Sequence, residues 1–125
     1  MSLVTEFVSF TVKVGKEERA QEWMRLLSAR QAECVATLDR EKMHFESIFR
    51  STRNGRMCLA WFSVQSDRGA PVESSAHAID QLHMAFWDEC IDRTIEPEKF
   101  QHVVSFLPRE VEEVVTMREA RLTSA

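Results

Sequence analysis

The sequence predicts an α+β fold of order β-α-β-β-α-β with one further helix at the C-terminus. Three observations predict it. An Asn-Gly pair, Asn54-Gly55, sits between two alternating runs, Met43 to Ser51 and Met57 to Gln65. Two long segments, one on each side of that pair, carry apolar residues at spacings of three and four. Alternating or apolar runs stand before the first segment and after the second.

The hairpin fixes the rest. A type I′ turn needs positive φ at both central residues, which Asn and Gly tolerate. With Asn54 and Gly55 as the loop, Arg53 faces Arg56, Arg50 faces Leu59, Ile48 faces Trp61, Glu46 faces Ser63 and His44 faces Gln65. Facing pairs share a side of the sheet. One side then holds His44, Glu46, Ile48 and Arg50 with Leu59, Trp61, Ser63 and Gln65. The other holds Met43, Phe45, Ser47 and Phe49 with Cys58, Ala60, Phe62 and Val64. The second side is nearly all apolar and is expected to be the core face.

The first strand is expected over Val4 to Val14, with Val4, Val8, Phe10, Val12 and Val14 facing the core. Gly15 opens a helix running to about Leu38, with the stripe Ala20, Trp23, Met24, Leu27, Gln31, Cys34, Val35 and Leu38. The hairpin supplies strands two and three. Ser66-Asp67-Arg68-Gly69-Ala70-Pro71 reads as a loop, and Ser74 or Ser75 as the cap of the second helix. That helix carries the stripe Ile79, Leu82, His83, Phe86 and Cys90 and ends before Pro97. Lys99 to Leu107 reads as strand four. Pro108 suits the first position of a last helix to residue 122, with acids early and Arg118 and Arg121 late.

This order is the ferredoxin-like split βαβ arrangement: a four-stranded antiparallel sheet with two helices on one face. The other face, with Phe7, Ile48, Leu59 and Trp61, would be bare in a monomer. A second copy packed sheet to sheet would cover it. One domain spans 1–125, with its core at 4–107 and the C-terminal helix at 108–122.

Composition narrows the function classes. The 125 residues are 44% hydrophobic and 29% charged, ordinary for a soluble domain. The net charge of −4 argues against nucleic acid and anionic membranes as partners. No basic region precedes an apolar run at Met1 to Glu6, and no stretch reaches a membrane-spanning length. A cytoplasmic protein is expected. Cys34, Cys58 and Cys90 are widely spaced and fall on apolar faces, as buried small hydrophobes do in a reducing compartment. No phosphate loop, nucleophile elbow, dinucleotide fingerprint or zinc spacing is present, so neither a metal nor another cofactor is expected.

Three segments carry a resemblance. They are Glu6-Phe7-Val8-Ser9-Phe10 with Gly15-Lys16-Glu17-Glu18, the run from Arg40 to Arg50, and the run from His77 to Asp92. In these the chain resembles the dimeric α/β-barrel proteins, ferredoxin-like homodimers, and within them a small uncharacterised bacterial family. The likeness covers most of residues 4–107. It implies the fold and the dimer and no activity. The wider group includes cofactor-free monooxygenases, haem-degrading enzymes and pure binding domains. Its enzymes tend to use an Asn on the first strand, a Trp, and often a Tyr or His. Here the sole Asn is Asn54, in the turn, and Tyr is absent.

Two groups of candidate site residues stand out. His83, inside a helix stripe with Phe86 and Trp87 beside it, points toward the sheet. It is either the centre of a ligand pocket or a core histidine bonded to a carbonyl or to Asp80; the core reading is preferred. His77 lies off the stripe and is expected in solvent, about 120° from His83 on the helix, which argues against a shared metal. His44, Glu46 and Arg50 with Trp61 form either an acid–base group or the polar rim of the dimer interface; the rim is preferred. The two groups are expected on opposite faces of the sheet. The leading function is that of a binding or interaction module for a small apolar molecule. The alternative is a cofactor-independent monooxygenase or haem-binding enzyme using His83.

Overall fold

The structure is a computed structural model that describes residues 3–66 and 77–123. The expected loop beyond Ser66 and the Ser74 or Ser75 cap lie outside the described residues. Eight elements follow one another: β1 (Leu3–Thr11), α1 (Glu17–Ala29), α2 (Gln31–Thr37), β2 (Met43–Arg53), β3 (Arg56–Ser66), α3 (Ala78–Cys90), β4 (Glu98–Phe100) and α4 (Arg109–Thr123). The fold is α+β, with a four-stranded antiparallel sheet and, among the described residues, four helices. The strand order is β2-β3-β1-β4.

The hairpin forms as its turn chemistry dictates. Asn54 and Gly55 have φ of 53° and 73°. From Glu46 onward the ladder has the expected register: Glu46 opposite Ser63, Ile48 opposite Trp61, Arg50 opposite Leu59 and Arg53 opposite Arg56. Phe45, opposite Val64, keeps it too, and ahead of Phe45 it is lost. A bulge between Met43 and Phe45 puts Met43, rather than His44, opposite Gln65. The extra residue of a bulge leaves the ladder and re-aims its side chain.

The covered face of the hairpin is the opposite of the one expected. The core cluster joins Val12, Ala20, Trp23, Leu59, Cys90 and Ile91, with Phe10, Met57, Trp61, Phe86 and Trp87 packed against it. Long-range pairing decides this. Val8 lies opposite Trp61 and Phe10 opposite Leu59, so the apolar side of β1 and the Trp61 side of the hairpin form one surface. Helices α1 and α3 pack on it. Trp61 and Leu59 therefore do not form the bare face. That face belongs to Phe7, Phe45, Phe49, Phe62 and Phe100, linked by ring contacts at 4.7 to 6.3 Å. Phe45 and Phe49 are each 53% exposed.

Three elements differ in extent. Strand one, expected over Val4 to Val14, ends at Thr11, and Val14, expected in the core, is exposed next to the Gly15 turn. The helix expected from Gly15 to Leu38 breaks at Arg30, whose φ of −110° and ψ of 36° leave the helical region. The break resets the 3.6-residue phase, so Val35 is exposed and Thr37 is buried. Strand four, expected over Lys99 to Leu107, is only Glu98–Phe100, paired with Ser9 to Phe7 of β1. Residues 101–107 have no regular structure, and Val103 and Phe106 stand in solvent. α4 buries no residue; polar contacts near its end hold it. Arg118 donates to Asp39 at 2.6 Å and to His44 Nδ1 at 2.7 Å.

Candidate functional site

Between the sheet and the helices opens a cleft of about 1210 Å³. Strands present Glu6, Val8 and Phe10 (β1), Glu46, Ile48 and Arg50 (β2), and Leu59, Trp61 and Ser63 (β3) to it. The side-chain period of two brings these alternate residues to one surface. The helices supply Met24 and Leu27 from α1, Cys34 and Thr37 from α2, and Ile79, Asp80, His83, Met84 and Trp87 from α3. Glu41 closes one side from the connection before β2.

The walls are divided. One is aromatic: Trp61 and Trp87 have ring centroids 4.8 Å apart, and each lies 6.1 Å from the His83 ring. Trp23, fully buried behind them, is 5.5 Å from Trp61 and donates its Nε1–H to His83 Nδ1 at 3.0 Å. Indole nitrogen only donates, so His83 Nδ1 is the acceptor and the neutral ring carries its proton on Nε2. Burial holds His83 below the ordinary imidazole range, against the pull of Asp80.

The other wall is acidic. Glu6, Glu41, Glu46 and Asp80 all line the cleft. Loss of solvent, then repulsion from Glu46 and Asp80, pushes Glu41 up to about 7. Desolvation and Asp80 also raise Glu46, which water still reaches from the open side of the cleft although protein surrounds it elsewhere. Asp80 is 7% exposed, and its Oδ2 has no hydrogen-bond partner. Arg25, Arg50 and Arg93 also line the cleft, but all three are exposed. Among the described residues no group of His, Cys, Asp and Glu has the geometry to hold a metal ion.

The expected site residues are redistributed. His83 and Trp87 do line a cavity. Phe86 does not: it stacks on Trp23 at 6.2 Å and lies under the Arg19 guanidinium. Glu46, Arg50 and Trp61, expected across the sheet from His83, line the same cleft as His83. His44 stands apart. The bulge turns it to α4, where its Nε2 meets Ser66 Oγ at 3.1 Å and its side chain is 3% exposed. His83 bonds neither to a carbonyl nor to Asp80 at Nδ1, but to Trp23. His77 is exposed, at the start of α3. The sequence offers Asp80 only as a partner for His83. Its three-residue spacing from His83 was the available signal. Glu41 had none, because it precedes β2 in a turn without periodicity.

These features define a class: an α+β protein with an acid- and tryptophan-walled cleft between its sheet and helices. A model of a family of unknown function, DUF6176, matches residues 3–113, and the chain belongs to that family. A comparison with curated proteins finds no match. No helix among the described residues is long and apolar enough to cross a membrane.

Proposed function

We propose that the protein is a homodimeric binding module of the ferredoxin-like, α/β-barrel type, whose cleft takes a small, largely apolar molecule. The single observation that carries the reading is the cleft itself: about 1210 Å³ beside His83, Trp61 and Trp87. A space of this size with a tryptophan wall and a few polar groups has the character of a small-molecule site. The strand order β2-β3-β1-β4, with two helices packed on one face, supports the ferredoxin-like arrangement. The exposed phenylalanines of the other face support a partner sheet there.

The alternative use of His83 as a haem ligand or general base has less support. Nδ1 already accepts from Trp23, and in the neutral ring Nε2 carries a proton. Neither nitrogen then has a free lone pair. His83 serves better as a donor to a bound molecule.

The experiment is a titration with 1-aminoanthracene, a neutral fluorescent aromatic at neutral pH, followed by quenching of the tryptophans. Saturable binding near one per chain, weakened by Trp61→Ala in a folded variant, is the expected result. No binding to the folded wild-type chain, or binding indifferent to Trp61, would remove the cleft reading.

A further inference from the structure

We propose that the cleft selects an organic cation: a primary ammonium group on an aromatic body, with the ammonium seated at Asp80 and Glu46 and the ring against Trp61 and Trp87. This rests on the reading of the cleft as a small-molecule site and names the chemistry of its ligand.

The argument starts from Asp80. A carboxylate more than nine-tenths buried ordinarily has its oxygens bonded, because an unpartnered buried acceptor bears its full desolvation cost. Asp80 Oδ2 has no partner, and Asp80 lies in the cleft wall. The missing partner is a donor; Oδ2 itself is sealed, and a turn of the carboxyl about χ2, a broad torsion, would bring it to a donor supplied from the cleft.

The charge of that donor follows from the neighbours. Asp80 is a source of repulsion for both Glu46 and Glu41, so the carboxyls act on one another. Opposite charge nearby would lower a carboxyl, yet both glutamates are raised. The cleft's arginines are exposed and leave the acids uncompensated; Arg40 relieves Glu41 only in part. A bound ammonium would satisfy Asp80 Oδ2 and offset the repulsion in one step. An anion would meet the carboxyls with like charge.

The body of the ligand follows from the other wall. Trp61 and Trp87 border the cleft within about one ring width of His83, three residues along α3 from Asp80. Tryptophan faces attract both flat rings and cations. An ammonium joined by a short linker to an aromatic ring suits both walls. Asp80 and Glu46 set the charge and the indoles set the shape.

The test is calorimetric titration of the full chain with three matched probes at about pH 8, where the amine is protonated and the pH stands above the value of about 7 to which Glu41 is pushed. The probes are phenethylammonium chloride, 2-phenylethanol and sodium phenylacetate. The expected result is that the ammonium binds near one per chain, about tenfold or more tighter than the alcohol, and that the carboxylate is weakest. Asp80→Asn and Glu46→Gln, each checked for folding by circular dichroism, should lower the ammonium affinity about tenfold and leave the alcohol within about twofold. The second variant keeps the test sound if the first fails to fold. Alcohol binding as tight as the ammonium, or ammonium binding indifferent to both substitutions, would overturn the cation and leave the cleft as a site. If no probe binds the folded protein, the cleft reading falls and the cation with it.

Discussion

Trp23 and His83 are joined by an indole-to-imidazole hydrogen bond of 3.0 Å, from the middle of α1 to the middle of α3. Trp23 is fully buried and in contact with Trp61, Phe86 and Trp87, so the donor has one orientation. The bond makes His83 the Nε2–H tautomer and ties together two helices that wall the cleft. Nitrogen-15 NMR should show that tautomer, with a pKa below the ordinary value near 6.5. His83→Ala strands the indole N–H and should cost about 1–3 kcal/mol in denaturant melts. A His83 ring that carries its proton on Nδ1 would contradict the assigned bond.

The outer face gives a pair of variants with opposite outcomes. Phe49 is half exposed among the phenylalanines of that face, whereas Trp61 packs against the core. Phe49→Arg should yield a folded monomer where the wild type scatters light as a dimer. Trp61→Arg removes the indole against which Phe10, Trp23 and Trp87 pack and should destabilise the fold by several kcal/mol rather than act on the dimer. A wild type that is monomeric at micromolar concentration would refute the interface. A dimer untouched by Phe49→Arg would place it elsewhere.

Stability should carry the imprint of Glu41. Its pKa is about 7 in the fold against 4.5 ordinarily, chiefly through desolvation. Between these values the folded chain keeps a proton that the unfolded chain has released, so stability falls as pH rises through the window. His83 acts in the other sense: its lowered pKa means that stability is lost as pH falls below the ordinary 6.5. Comparing Glu41→Gln with the wild type isolates the carboxyl. The Tm advantage of the variant should grow from about pH 4.5 to about pH 7 and then level off. An advantage that is constant with pH would show that Glu41 is not held protonated.

The thiols should be slow. Cys58 and Cys90 are buried and Cys34 is half-buried. Desolvation, as the leading cause, raises both Cys34 and Cys90 above the ordinary thiol range, and only the thiolate reacts. With Ellman's reagent the native protein should label slowly, Cys34 first, and rapidly after denaturation. Prompt native labelling of Cys90 would be incompatible with its place in the core.

Much of the fold was legible because its signals are local. The Asn54-Gly55 turn and the ladder from Glu46 to Arg53 follow from turn chemistry and a period of two. Alternation says which residues share a side, however, and not which side is covered. The Phe45 side looked like a core because it is the more apolar. The covered side carries Glu6, Glu46 and Ser63 because it walls a cleft. Only the pairing of Val8 with Trp61, more than fifty residues away in the chain, discloses which side the helices take. The bulge at His44 and the break at Arg30 were unreadable for a similar reason. Neither position carries a residue type that demands it, and tertiary contacts made by α4 and by Thr37 accompany them.

The alternation of β2 has one more consequence. Ile48 looks into the cleft, whereas the ring of its neighbour Phe49 turns to Phe7 on the opposite surface, with one peptide unit between them. The strand is a partition wall whose two sides are written in interleaved letters of one text. If the cleft binds and the outer face pairs as proposed, substitutions scanned along it should change ligand capture and self-association at alternate positions. A single inserted or deleted residue would exchange the two vocabularies, putting phenylalanines into the cleft and glutamate on the outer face.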